Sequence, residues 1–125
     1  LLMVSVLKDA DCIRSLREYA ESFNMHCLIE TTSEAEIEIA VQSGAKIIGV
    51  NARDFTDGKL SINKEKFQQL LPKIPAGIVR VAESGIYTRA DVDAVSNICD
   101  AILVGTSLMS EGEAEIGKKI KELIS

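Results

Sequence analysis

The residues best suited to chemistry stand just after short apolar runs. Glu30 follows residues 27–29, Asn51 and Arg53 follow residues 46–50, Glu83-Ser84-Gly85 follows residues 78–82, and Gly105-Thr106 follows residues 101–104. A carboxyl in a partly apolar pocket can have its pKa raised into the range of a general acid or base. Turns rich in small residues leave backbone N–H groups open to an anion such as phosphate. Any one of these residues alone reads as a cap, but four successive apolar runs ending this way read as a site. Histidine-based nucleophilic catalysis has little to work with: His26 is the single histidine and stands just before an apolar run. The cysteines, Cys12, Cys27 and Cys99, are odd in number and form no CxxC pair, so they read as reduced thiols rather than as a disulfide or metal set.

The elements that must position these residues form a repeating pattern. Residues 1–7 (LLMVSVL) read as a strand, and Asp9 or Asp11 caps a helix with Ile13, Leu16, Ala20 and Phe23 on its apolar face. A second strand ends at Glu30. Ser33 with Glu36 forms a capping box for a helix carrying Ile37, Ala40 and Val41, which stops at Gly44. Residues 46–50 are a third strand, followed by a polar loop with an Asp57-Gly58 turn and a helix through Phe67, Leu70 and Leu71. Residues 78–82 are a fourth strand, Thr88 with Asp91 caps a helix carrying Val92 and Val95, and residues 101–104 are a fifth strand. A last helix carries Ile116, Ile120, Leu123 and Ile124. The strands are apolar throughout rather than alternating, which predicts a parallel sheet covered on both faces. Such a sheet can open like flavodoxin or form part of a (βα)₈ barrel. A whole barrel runs to ~250 residues, against 125 here. The chain enters directly into a strand without a start methionine, and its polar residues cluster at strand C-termini. Both features favour a single partial barrel domain over residues 1–125.

Composition narrows the function. The formal net charge is −5, from 14 Lys+Arg and 19 Asp+Glu, which disfavours nucleic acid or anionic lipid as a broad-surface partner. With 46% hydrophobic residues the chain can build a core. No apolar run approaches the ~20 residues of a membrane helix, and the first residues lack the features of a signal peptide, so a cytoplasmic protein is expected.

The segments Leu28-Ile29-Glu30, Ile48-Gly49-Val50-Asn51-Ala52-Arg53-Asp54, Val81-Ala82-Glu83-Ser84-Gly85-Ile86 and Leu103-Val104-Gly105-Thr106-Ser107-Leu108-Met109 together resemble indole-3-glycerol-phosphate synthase. The order and spacing match strand four to helix eight of its barrel, across essentially the whole chain. The ESGI segment recurs in other phosphate-binding barrels. The Asn-Ala-Arg-Asp segment with the preceding glutamate is more specific. The resemblance implies conversion of 1-(2-carboxyphenylamino)-1-deoxyribulose 5-phosphate to indole-3-glycerol phosphate, carbon dioxide and water, with no cofactor or metal. It makes Glu30 the general base, Asn51 and Glu83 substrate-orienting catalytic residues, Arg53 and Ser84 substrate-binding residues, and Gly85, Gly105 and Thr106 the phosphate cup.

The family's general-acid lysine, and a further lysine and glutamate, lie on strands earlier than those present here. Lys8 and Lys46 match neither lysine in position. The resemblance therefore implies that these 125 residues alone are close to inactive. The expected partners are the N-terminal half of the barrel, or a second copy of the chain covering the open edges along residues 1–7 and 101–104. Other readings are another phosphate-binding barrel enzyme, such as a phosphoribosyl isomerase or a thiazole synthase-like protein, and a non-catalytic five-unit domain.

Overall fold

The computed structural model describes residues 1–54, 58–110 and 112–125. Its frame is one sheet of five parallel strands: β1 (Leu2–Met3), β2 (Leu28–Thr31), β3 (Ile47–Asn51), β4 (Val79–Glu83) and β5 (Ala101–Leu103). Between them run α1 (Val4–Leu7), α2 (Ala10–Glu21), α3 (Glu34–Gln42), α4 (Glu65–Leu70) with a 3₁₀ turn at Leu71–Lys73, and α5 (Arg89–Val95). After β5 come α6 (Thr106–Met109), a 3₁₀ turn at Glu113–Glu115 and α7 (Ile116–Ile124). The strands lie side by side in chain order, β1-β2-β3-β4-β5. A flavodoxin-like sheet would reorder them as 2-1-3-4-5. Chain order is the order of barrel staves, and the fold is the C-terminal part of a TIM (βα)₈ barrel with β1 and β5 as its open edges.

Local sequence explains most of the elements. The Asp9 carboxylate accepts the N–H groups of Asp11 and Cys12 at 2.7 and 3.2 Å and starts α2. Thr88 and Asp91 form the full capping box of α5. The Ser33–Glu36 pair is only half of one. The Ser33 hydroxyl accepts the Glu36 N–H, but the Glu36 carboxylate takes the N–H and hydroxyl of Thr32, at 2.6 and 3.0 Å.

The first strand is shorter than expected. Only Leu2–Met3 pairs with β2, and Val4–Leu7 closes a helical turn, with the Lys8 N–H on the Val4 carbonyl. Val4 is buried and Val6 exposed, so the apolar run is read at helical rather than strand spacing. The apolar face of α2 is also displaced. Ile13 is buried, but Leu16 and Phe23 are exposed, because Arg17 takes the inward position one turn on from Ile13. Its guanidinium pairs with Glu21 at 2.9 Å and reaches the Ser43 carbonyl, while Arg14 reaches that of Gln42, so two arginines of α2 hold the C-terminal end of α3. Asp57, expected in a turn with Gly58, lies outside the described residues.

Register sorts the two faces of the sheet. Side chains alternate along a strand, and residues paired across parallel strands share a face. Ile29, Ile48, Val50 and Ala82 face the helices, and each is wholly buried. The opposite face carries Glu30, Gly49, Asn51, Val81 and Glu83 in paired rows, Glu30↔Gly49↔Val81 and Asn51↔Glu83. It is not covered throughout as the apolar strands suggested. Val79 and Leu103 on that face are close to half exposed, as befits an interior whose remaining staves are not among these residues.

Candidate functional site

Because the strands are parallel, their C-terminal ends form one rim. Asn51 and Glu83 are the last residues of β3 and β4, while β2 continues one residue past Glu30. All three side chains belong to the same face and are buried, Glu83 most deeply at 1% exposure.

Glu30 and Glu83 meet in front of β3. Each has one carboxylate oxygen, Oε1, that is buried and has no protein hydrogen-bond partner. Burial, then the charge of Glu30, then hydrogen bonding with Glu30 push Glu83 up to about 8. Two carboxyls this close cannot both ionise cheaply, so the pair holds a proton at neutral pH. The space for this meeting comes from Gly49. A Cβ placed there would lie 1.6 Å from Glu83 Oε1 and 2.7 Å from its carboxyl carbon. Gly49 was not among the expected site residues. Its signal in the sequence is a glycine inside an otherwise apolar strand, which marks a close approach.

Asn51 turns its side chain to the backbone, where its Oδ1 accepts the Arg53 N–H at 2.9 Å. Arg53 then bridges Ile62 in antiparallel fashion, and Ile62 packs on the next turn: a Cβ on Gly85 would lie 2.7 Å from Ile62 Cγ2. Ser84 and Gly85 both have positive φ, 67° and 73°. Gly85 meets that demand freely and Ser84 does not.

The expected phosphate turns come together. Ser84, Gly85, Ile86 and Tyr87 line one side of a cleft of about 310 Å³, and Leu103 to Ser107, with Gly105 and Thr106, line the other. Lys64 and Asp91 buttress the cleft from behind. Lys64 Nζ lies 2.6 Å from Asp91 Oδ1 and 5.5 Å from the centre of the Tyr87 ring, and its stem passes beside Gly85. Asp91 also accepts the N–H groups of Tyr87 and Thr88 and the Thr88 hydroxyl. Burial works to raise its pKa, but these donors outweigh it and hold Asp91 at about 2. The sequence showed Asp91 only as a cap; the Lys64 contact spans 27 residues and leaves no local pattern.

Among the described residues no group of three or more His, Cys, Asp and Glu could hold a metal ion. No helix among them is long and apolar enough to cross a membrane. Cys12 is exposed, Cys27 buried and Cys99 half-buried, all as free thiols.

The sequence profile of the family described as "Indole-3-glycerol phosphate synthase" matches residues 1–123. The chain belongs to the indole-3-glycerol phosphate synthase family. The family protein of Methanocaldococcus jannaschii is 42% identical over 124 residues, which is 99% of this chain and 44% of that protein. The indole-3-glycerol phosphate synthase of Streptomyces griseus is 46% identical over 111 residues, 88% of this chain and 40% of that protein. The Tryptophan biosynthesis protein TrpCF of Yersinia pestis is 40% identical over 89% of this chain and 23% of its own length. The chain thus spans less than half the length of these family relatives. Among solved structures, the fold is similar to that in the Amycolatopsis orientalis BexX/CysO complex, at 22% identity and TM-score 0.58 over 93% of this chain and 48% of that one. It is also similar to the YdjI aldolase of Escherichia coli, at 14% identity and TM-score 0.53 over 93% of this chain and 50% of that one. At those identities the likeness is one of fold alone.

Proposed function

We propose that this chain supplies the last five βα units of a barrel that closes the indole ring of indole-3-glycerol phosphate in tryptophan biosynthesis. The observation that carries the reading is the family match over residues 1–123, joined to a carboxyl pair and a small-residue cleft on one rim. The substrate is 1-(2-carboxyphenylamino)-1-deoxyribulose 5-phosphate. Its phosphate sits in the cleft against the N–H groups near Gly85, Gly105 and Thr106. Its ring and sugar lie over Glu30, Asn51 and Glu83, with Arg53 and Ser84 at the border.

A bond forms between the aryl ring carbon and the ribulose carbonyl carbon. The ring carboxylate departs as carbon dioxide, and the former carbonyl oxygen leaves as water. That departure needs two kinds of transfer. The first delivers protons to the oxygen, one as the ring closes and one as water leaves. The second withdraws one proton from the substrate, with a net uptake of one proton from solvent. Glu30 serves as the base for the second. The neighbouring Glu83, buried and protonated, orients hydroxyls by donating a hydrogen bond. The acid for the first comes from the N-terminal units of the barrel, so the chain alone turns over substrate very slowly. No cofactor or metal takes part, and the setting is the cytoplasm, in keeping with the free thiols.

The test joins this chain to the N-terminal units of the Methanocaldococcus jannaschii relative and follows indole fluorescence on adding the substrate. The expected result is product formation that disappears when either half is withheld. A folded hybrid that forms no product would overturn the reading.

A further inference from the structure

The geometry points to Gly49 as a positioning residue of the site: its missing side chain is the berth that holds the Glu83 carboxyl against Glu30. This rests on the proposed reaction for its catalytic consequence, though not for its structural one.

A glycine inside a strand weakens it by conformational entropy, so its presence calls for a compensating use. Gly49 is the middle residue of β3, paired on both sides, Glu30↔Gly49 and Gly49↔Val81. Its φ is not positive, so the backbone there does not demand glycine. Its carbonyl is also committed, accepting the Thr31 hydroxyl at 2.8 Å. What demands glycine is volume. The nearest atoms to a Cβ at this position are Oε1, Cδ and Cγ of Glu83, at 1.6, 2.7 and 3.2 Å. All belong to the far part of one side chain, so an alanine displaces the Glu83 carboxyl and leaves the sheet in place.

The register gives that displacement a direction. Glu83 stands one row further along the rim than Glu30 and Gly49. To meet Glu30 on β2, the Glu83 side chain must lean back over the Gly49 row. With any side chain at residue 49 it is turned away from Glu30, and the pair that shares a proton comes apart. The charged group acting on Glu83 from the neighbouring strands is Glu30 on β2. Losing the contact with Glu30 therefore makes Glu83 easier to ionise.

The test is made in the complete barrel, with N-terminal units joined to this chain. Gly49→Ala is compared with the parent, with Glu83→Ala and with the double variant. In Gly49→Ala the carboxyl carbon of Glu83, followed by carbon NMR, should titrate at a lower pH than in the parent. The kcat should fall roughly 10²-fold, the cost of a misplaced reacting geometry, with KM nearly unchanged. In the Glu83→Ala background, where the berth is empty, Gly49→Ala should not lower the urea midpoint and should raise it slightly, since alanine removes the entropic cost of glycine in a strand. A Gly49→Ala variant with the parent's Glu83 titration, or one equally destabilising in both backgrounds, would overturn the inference. The titration and the stability comparison are read without turnover. A parent barrel inactive on the proposed substrate therefore counts against the reaction and not against this positioning.

Discussion

Glu83 and Asp91 flank the same Ser84-Gly85 turn, and burial works against ionisation in both, yet their carboxyls end at opposite extremes. Glu83 is pushed up to about 8 and Asp91 is held at about 2. The difference lies in what each carboxyl faces. Asp91 meets an ammonium, two backbone N–H groups and a hydroxyl, with Lys64 at 2.6 Å and the others between 2.9 and 3.1 Å. Glu83 meets another carboxyl and has a buried oxygen without a partner. Burial only amplifies whichever partners are present. The Asp91 cluster fastens the helix behind the cleft and is locally satisfied. The Glu83 cluster is left with unpartnered buried oxygens on the rim, so its proton and lone pairs are not committed to protein groups.

The sharpest way to break this comparison is to neutralise the acidic partner. In the complete barrel Glu30→Gln should lower turnover by ~10²–10⁴-fold, the worth of one positioned base, while KM changes little. Near-normal turnover would show that Glu30 is a rim residue only.

The next effect is on stability against pH, with opposite signs in the two clusters. Between the ordinary carboxyl value of 4.5 and about 8, native Glu83 keeps a proton that the unfolded chain has lost. The native state binds more protons there, so its contribution is fully present below 4.5 and is lost as pH rises through about 8. For Asp91 the unfolded chain takes up a proton first. Its contribution is present above 3.8 and is lost as pH falls through about 2. Urea midpoints measured across pH should show both slopes. Glu83→Gln should flatten the upper one alone; a parent slope that this substitution leaves unchanged would refute the assignment to Glu83.

The sequence made the rim legible because periodicity and polarity are local signals. Glu30, Asn51 and Glu83 were placed by the ends of apolar runs, and the runs fell within a residue or two of the strands. The Asp9 and Thr88 caps were legible for the same reason. Strand order was not: apolar strands read alike in a flavodoxin-like sheet and in a run of barrel staves, and only the pairing order β1-β2-β3-β4-β5 separates them. Residues 4–7 misled because a short apolar run fits either spacing, and the buried Val4 is satisfied by a helical turn. Leu16 and Phe23 fit the helical period but lost the inward face to Arg17, whose partners lie on α3. Gly49 and Lys64 were missed because what makes them matter is a contact across strands or loops. A glycine's use is visible only once the side chain that fills its space is known.

Removing the anchor rather than the reactive pair should cost stability and spare the chemistry. Asp91→Ala takes away the capping box and the Lys64 ion pair together, and should destabilise by ~2 kcal/mol, the sum of a lost cap and a charged hydrogen bond. A pair of denaturation curves checks it, and a loss within error of zero would show that the cluster is solvated rather than structural.

The smallest expected effect lies between the two carboxyls, at Ser84. Its φ of 67° is a conformation that side chains other than glycine's adopt at a cost of ~1–2 kcal/mol. Glycine removes that cost but gives the unfolded chain more freedom, worth roughly 0.5–1 kcal/mol. Ser84→Gly should therefore stabilise the complete barrel by about 0.5–1 kcal/mol, the difference between those terms. Ser84→Ala keeps the strain and should give no gain. If Ser84 is strained because its hydroxyl serves the substrate, both variants should raise KM, and only the glycine variant should also raise the urea midpoint. Equal stability in the two variants would place the strain elsewhere in the turn. An unchanged KM in both would leave the hydroxyl no part in binding, and the small-residue turn alone would then form that side of the cleft.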